Sequence, residues 1–131
     1  MPPTHHVLLV DDDAAMRIVL SRLLARLDAE VMITEATNGA EGLRAALAQR
    51  PDLIISDYHM PVMDGLELVR TLRGHGAAMP IVMLSSEPSV ANAAQLAGAT
   101  AFLTKPFAIR SFSQFLNTLL PGDTETRALG Q

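Results

Sequence analysis

The chain contains no cysteine. That excludes disulfides, thiolate catalysis and cysteine-based zinc sites. It contains no tryptophan, and aromatic residues make up 4% of the total. A core drawn from its 49% hydrophobic residues is therefore mostly aliphatic. No apolar run approaches the roughly 18 residues of a membrane span. The opening stretch MPPTHHVLLVDDD has no basic region ahead of its apolar residues and quickly reaches three acids, which is unlike a secretory signal. A surplus of basic charge is also missing: the net charge is −4. That argues against a nucleic-acid surface. The expectation is a cytoplasmic protein with neither nucleic acid nor membrane among its partners. Its 131 residues suggest one domain.

What is present is an alternation of two hydrophobic periods. Val7 to Val10 is an unbroken apolar run, the mark of a buried strand. Met16, Val19, Leu20, Leu23, Leu24 and Leu27 then follow the spacing of one helical face, with Arg17 and Arg22 off it. The pattern repeats four times. Strands are predicted at Val31 to Thr34, Leu53 to Ser56, Ile81 to Leu84 and Ala101 to Thr104. Helices are predicted at Gly39 to Arg50 (Leu43 and Leu47 inward), Leu66 to Arg73, Pro88 to Ala97, and from Ile109 through Phe112, Phe115 and Leu116 to Leu120. Five strands alternating with five helices imply an α/β fold, a parallel sheet with helices on both faces. Residues 1–6, with His5 and His6, read as a polar lead-in, 7–120 as the domain, and 121–131 as a short polar tail.

In such folds ligands bind beyond the carboxyl ends of the strands. Here those ends carry Asp11, Asp12 and Asp13, then Asp57, then Ser85 and Ser86, then Lys105. Asp57 is expected at this rim and not in the core. Crowded carboxylates repel one another and raise the pKa of at least one. A divalent cation removes the conflict, and Mg²⁺, hard and satisfied by oxygens, suits it best, with Mn²⁺ as the alternative. A lysine and a hydroxyl beside it suit the oxygens of a phosphoryl group. An ionised carboxylate can itself accept that group. Asp13 is read as a helix cap.

Four segments, VLLVDDDAAMR (7–17), DLIISDYHMPVMDG (52–65), PIVMLSS (80–86) and FLTKPF (102–107), resemble the receiver domains of two-component response regulators. The resemblance runs from about Val7 to Leu120 and is nearest to the single-domain, chemotaxis-type (CheY-like) regulators, with no attached output domain. It implies a flavodoxin-like sheet of order 2-1-3-4-5. It implies Asp57 as phosphoacceptor. Asp11, Asp12 and the backbone carbonyl of His59 join Asp57 as Mg²⁺ ligands, Asp11 through water. Ser85 and Phe102 are the switch residues, and Lys105 is the cationic clamp, joined to Pro106 by a cis bond. The donor would be a sensor histidine kinase or a histidine phosphotransfer protein. A downstream protein would bind the face formed by the fourth helix, fifth strand and fifth helix, with the chain a monomer or a weak dimer on activation. The fourth helix, SVANAAQLAG, offers mainly Val90 and alanines to the core, so it is expected to be held weakly.

His59 and Glu87 occupy positions that vary in the family and tune dephosphorylation. His59 either reaches the phosphoryl group or is an exposed loop residue giving only its carbonyl; Glu87 either tunes or starts a helix. His75, between two glycines, reads as a surface residue, and the methionines as aliphatic filling. One rival is a phosphatase of haloacid-dehalogenase type with Asp11 as nucleophile, although Ala15 stands where that motif wants Thr or Val. Another is an interaction module independent of phosphorylation. A flavin binder would want a Ser/Thr/Gly-rich loop where DDDAAMR stands.

Overall fold

The computed structural model describes residues 4–120. Five strands form one parallel sheet: β1 (Thr4–Val10), β2 (Glu30–Ala36), β3 (Leu53–Asp57), β4 (Ile81–Ser85) and β5 (Ala101–Thr104). Their order is β2-β1-β3-β4-β5. Between and after them run α1 (Ala14–Leu24), α2 (Gly39–Gln49), α3 (Gly65–Gly74), α4 (Ala91–Ala97) and α5 (Ile109–Leu119). A 3₁₀ turn, Pro88–Val90, leads into α4. The architecture is the one read from the residue patterns, and the strand order is the one the resemblance implies.

Side chains alternate across a strand, so the sheet feeds two cores. Val7, Leu9, Leu53, Ile55, Val82 and Leu84 pack against α1 and α5, where Phe112 and Leu116 are buried. Leu8, Val10, Ile54, Ile81 and Met83 pack against α2, α3 and α4. Every residue of β3 and β4 is buried, which is why those segments read as unbroken apolar runs.

Three apolar residues predicted to face inward are exposed: Val19, Leu47 and Ile109. Val19 lies at the margin of the α1 stripe, whose buried members are Leu20, Leu23 and Leu24. On α2 the small residues Gly42 and Ala46 take the inward positions, and Leu47 is rotated off the sheet. The lead-in is also shorter than expected. β1 starts at Thr4, with His5 opposite Val31 and His6 opposite Met32. His6 Nε2 meets Thr34 Oγ1 at 2.7 Å, and its backbone N–H donates to Asp52 at 2.7 Å. Polar side chains are tolerated at this amino edge because they find polar partners. The tail 121–131 lies outside the described residues.

Helix starts differ in a way that bears on the site. Asp13, Asn38 and Asp64 cap α1, α2 and α3 through side-chain oxygens, whereas α4 and α5 have no such cap. Of α4 only Ala94 is fully buried, and Leu96 is 86% exposed. Asp13 Oδ1 accepts from the Ala15 N–H at 3.0 Å, the cap role expected of it. Asp13→Ala should cost about 1 kcal/mol of stability, read as a shift in the urea midpoint with unchanged slope.

Candidate functional site

β1 and β3 are adjacent and parallel, so their carboxyl ends bring Asp11, Asp12 and Asp57 together. One oxygen from each carboxylate lies within 4.8 Å of the others. Asp57 is the last residue of β3 and is both at the rim and largely buried, at 8% exposure. Asp11 is 1% exposed, while Asp12 faces solvent.

Asp11 is fixed from several directions. Its N–H donates to Ala36 O at 3.0 Å, continuing the β1–β2 ladder past the strand end. Its Oδ1 accepts from the Asp13 N–H at 2.9 Å. Its carbonyl accepts from Arg17 Nη1 at 2.7 Å. Only Oδ2, buried, has no hydrogen-bond partner. Burial pushes the Asp11 carboxyl up to about 6; the Asp13 N–H opposes the shift and the Asp57 and Asp12 charges add to it. A buried acceptor without a partner is costly. An oxygen-only donor set of three carboxylates fits a hard divalent cation, which would satisfy that atom.

Lys105, beyond β5, places Nζ 2.8 Å from Asp57 Oδ1. The Lys105–Pro106 bond is cis, as the resemblance implies. Ser85 ends β4 and is buried, and its Oγ accepts from the Glu87 N–H at 3.0 Å. The His59 ring is exposed and its Nε2 pairs with Glu87 Oε1, so the two variable positions meet each other. Phe102 lies apart from the carboxylates. It is half-buried in β5 and lines a cleft of about 330 Å³ with Ala91, Gln95, Ala99 and Thr100 beside α4.

Two contributors were not singled out from the sequence. Arg17 was noted only as lying off the apolar face. Tyr58 is the single tyrosine of the chain, follows Asp57 directly and stacks at a tilt on His59, ring centroids 4.5 Å apart.

Residues 7–117 match the family model described as the response regulator receiver domain. The chain belongs to that family. Among curated relatives, the response regulator MprA of Mycobacterium tuberculosis is 40% identical over 116 residues, 87% of this chain and 50% of the relative. MprA of Mycolicibacterium vanbaalenii is 37% identical over 127 residues, 95% of this chain and 54% of the relative. The receiver chain thus spans about half the length of these relatives. Among solved structures, the chemotaxis protein CheY4 of Vibrio cholerae superposes with a TM-score of 0.77 at 36% identity, covering 89% of this chain and 99% of that one. The signal receiver domain of NarL from Mycobacterium tuberculosis gives 0.80 at 27% identity, covering 90% and 98%. This receiver domain is accordingly a signalling module of two-component systems, and its acidic cluster is a place where a metal ion could bind.

Proposed function

We propose that Asp57 accepts a phosphoryl group from the phosphohistidine of a sensor kinase or phosphotransfer protein, in the cytoplasm, and that the acyl phosphate changes a protein-binding surface. The observation that carries this is the juxtaposition of Asp57 with two further carboxylates on one side and the Lys105 ammonium, at 2.8 Å, on another.

An oxygen of Asp57 attacks phosphorus, a P–O bond forms, the P–N bond breaks, and the imidazole leaves with the electron pair. Lys105 orients the acceptor carboxylate and offsets charge on the transferred oxygens. Asp11, Asp12, Asp57 and the His59 carbonyl would hold Mg²⁺, whose chemistry is to neutralise the same oxygens. Ser85 already engages the Glu87 N–H, so a move of its hydroxyl toward a phosphoryl group exchanges one hydrogen bond for another and releases the turn ahead of α4. Phe102 and the thinly buried α4 lie next along that path, and the exposed Leu96 belongs to the face assigned to the downstream partner. The His59–Glu87 pair spans the two loops at the site and is well placed to tune phosphoryl loss.

Family membership supports Asp57 over Asp11 as the acceptor. The test is intact mass after incubation with Mg²⁺ and acetyl phosphate. A single labile phosphoryl adduct is expected, absent without Mg²⁺ and in Asp57→Asn. No adduct from a folded protein that binds Mg²⁺, with either acetyl phosphate or phosphohistidine donors, would replace this reading with a phosphorylation-independent module. An adduct that survives Asp57→Asn and maps to Asp11 would restore the phosphatase reading.

A further inference from the structure

We infer that Arg17 is a positioning residue for the cation site, a strut that sets the carboxylate of Asp11 by holding its backbone. The inference rests on the reading of the acidic cluster as a divalent-cation site.

The Arg17 side chain is 16% exposed. Nη1 donates to the carbonyl of Asp11 at 2.7 Å, and Nε donates to Glu35 Oε1 at 2.9 Å. One planar group thus ties the end of β2 to the first residue of the acidic loop. A guanidinium can do this because its donors diverge in a fixed fork; an ammonium on a flexible stem cannot hold both acceptors equally. The other polar atoms of Asp11 are already engaged, so the Arg17 contact completes the restraint and leaves Oδ2, buried, as the one carboxylate oxygen of Asp11 without a hydrogen bond. Without the strut, the peptide between Asp11 and Asp12 gains freedom, and two of the three carboxylates lose their fixed spacing. Groups that orient metal ligands typically contribute 10–100-fold to affinity.

Arg73 supplies a matched control. It too is a half-buried arginine bound to carbonyls, with Nε on Gly98 at 2.9 Å and Nη1 on Ala77 at 3.0 Å and Met79 at 2.8 Å. Those carbonyls precede β4 and β5, at the sheet edge opposite the carboxylates.

The experiment is titration of MgCl₂ into the wild type, Arg17→Gln, Arg17→Lys, Glu35→Ala and Arg73→Gln. Affinity is read by Tyr58 fluorescence and by calorimetry, at a temperature where each variant is fully folded. Arg17→Gln should weaken Mg²⁺ about tenfold, Arg17→Lys and Glu35→Ala less, and Arg73→Gln less than about twofold, although it loses more hydrogen bonds to carbonyls. An Arg17→Gln affinity within twofold of wild type, or an equal loss in Arg73→Gln, overturns the inference. If Arg17→Gln does not fold, unchanged affinity in both Arg17→Lys and Glu35→Ala overturns it instead. A wild type that binds no Mg²⁺ overturns the cation reading itself, a result distinct from a wild type that binds beside an unaffected Arg17→Gln.

Discussion

Asp11→Asn should make the metal-free protein more stable at pH 7, by about 2–3 kcal/mol. The folded carboxyl sits at about 6 against an ordinary 3.8, chiefly because it is buried. In the unfolded chain the group ionises near its ordinary value. Between roughly pH 4 and 6 the folded protein keeps a proton that the unfolded chain has lost. Rising pH therefore removes stability across that window, and above it the full cost of a buried, crowded carboxylate is present. Asparagine carries no charge, and its Oδ1 can still accept from the Asp13 N–H that Asp11 now engages at 2.9 Å. Its amide takes the place of the partnerless Oδ2 and can donate to a neighbouring carboxylate. Urea denaturation at pH 4.5 and pH 7, with chelator, reads both effects. The wild type should lose stability between the two values and the variant should lose less. Equal stability of the two proteins at pH 7 would show that burial does not penalise Asp11. The same substitution should weaken Mg²⁺-dependent stabilisation, because it removes one of the three carboxylate charges of the cluster. Stability surrendered at a functional site is the expected trade.

Much of this site was legible because one rule governs it: in a parallel sheet, whatever follows the strands converges on one edge. Asp57 stood out as a charge directly after Leu53-Ile54-Ile55, and Lys105 as a charge after Ala101 to Thr104. Topology puts both at one edge, and the long Lys105 side chain reaches across β4 to meet Asp57 at 2.8 Å. The helices were less legible. Apolar periodicity found α2 but placed Leu47 inward, because a hydrophobicity pattern cannot see that Gly42 and Ala46 allow the helix to lie closer on another face. Arg17 left no signal, since one acceptor is a backbone carbonyl, carried by every residue, and the other is Glu35, on a different element. His59 and Glu87 were weighed separately against the phosphoryl group. Their pairing with each other joins two loops that share no local pattern.

Gly65→Ala should cost about 2–3 kcal/mol and slow adduct formation more than tenfold. A Cβ there would stand 2.5 Å from the carbonyl oxygen of Asp57 and 3.0 Å from Tyr58 Cα, both backbone atoms of the acceptor segment. Neither can yield without moving Asp57. The Gly65 N–H also donates to Tyr58 O at 2.9 Å, so the close approach is part of how the loop is closed. The far side of the same loop is held by Gly39, whose N–H donates to Met63 O at 3.1 Å and whose Cβ would overlap that oxygen. Between the two lies Val62, 81% exposed with φ at 73°, a conformation a β-branched residue adopts only under constraint. Such strain persists only where the surroundings over-determine it. The Met63 N–H donates to Pro61 O at 2.8 Å across Val62, and the close approaches of Gly65 and Gly39 hold the two sides of that turn, next to Asp57. Gly74→Ala, at the other end of α3, tests the specificity of the effect. A Cβ there meets nothing within 4 Å, and alanine favours a helix, so this variant should match or exceed wild-type stability and form the adduct at the wild-type rate. If Gly65→Ala behaves like Gly74→Ala, the loop is softer than its contacts indicate, and the acceptor does not depend on its closure.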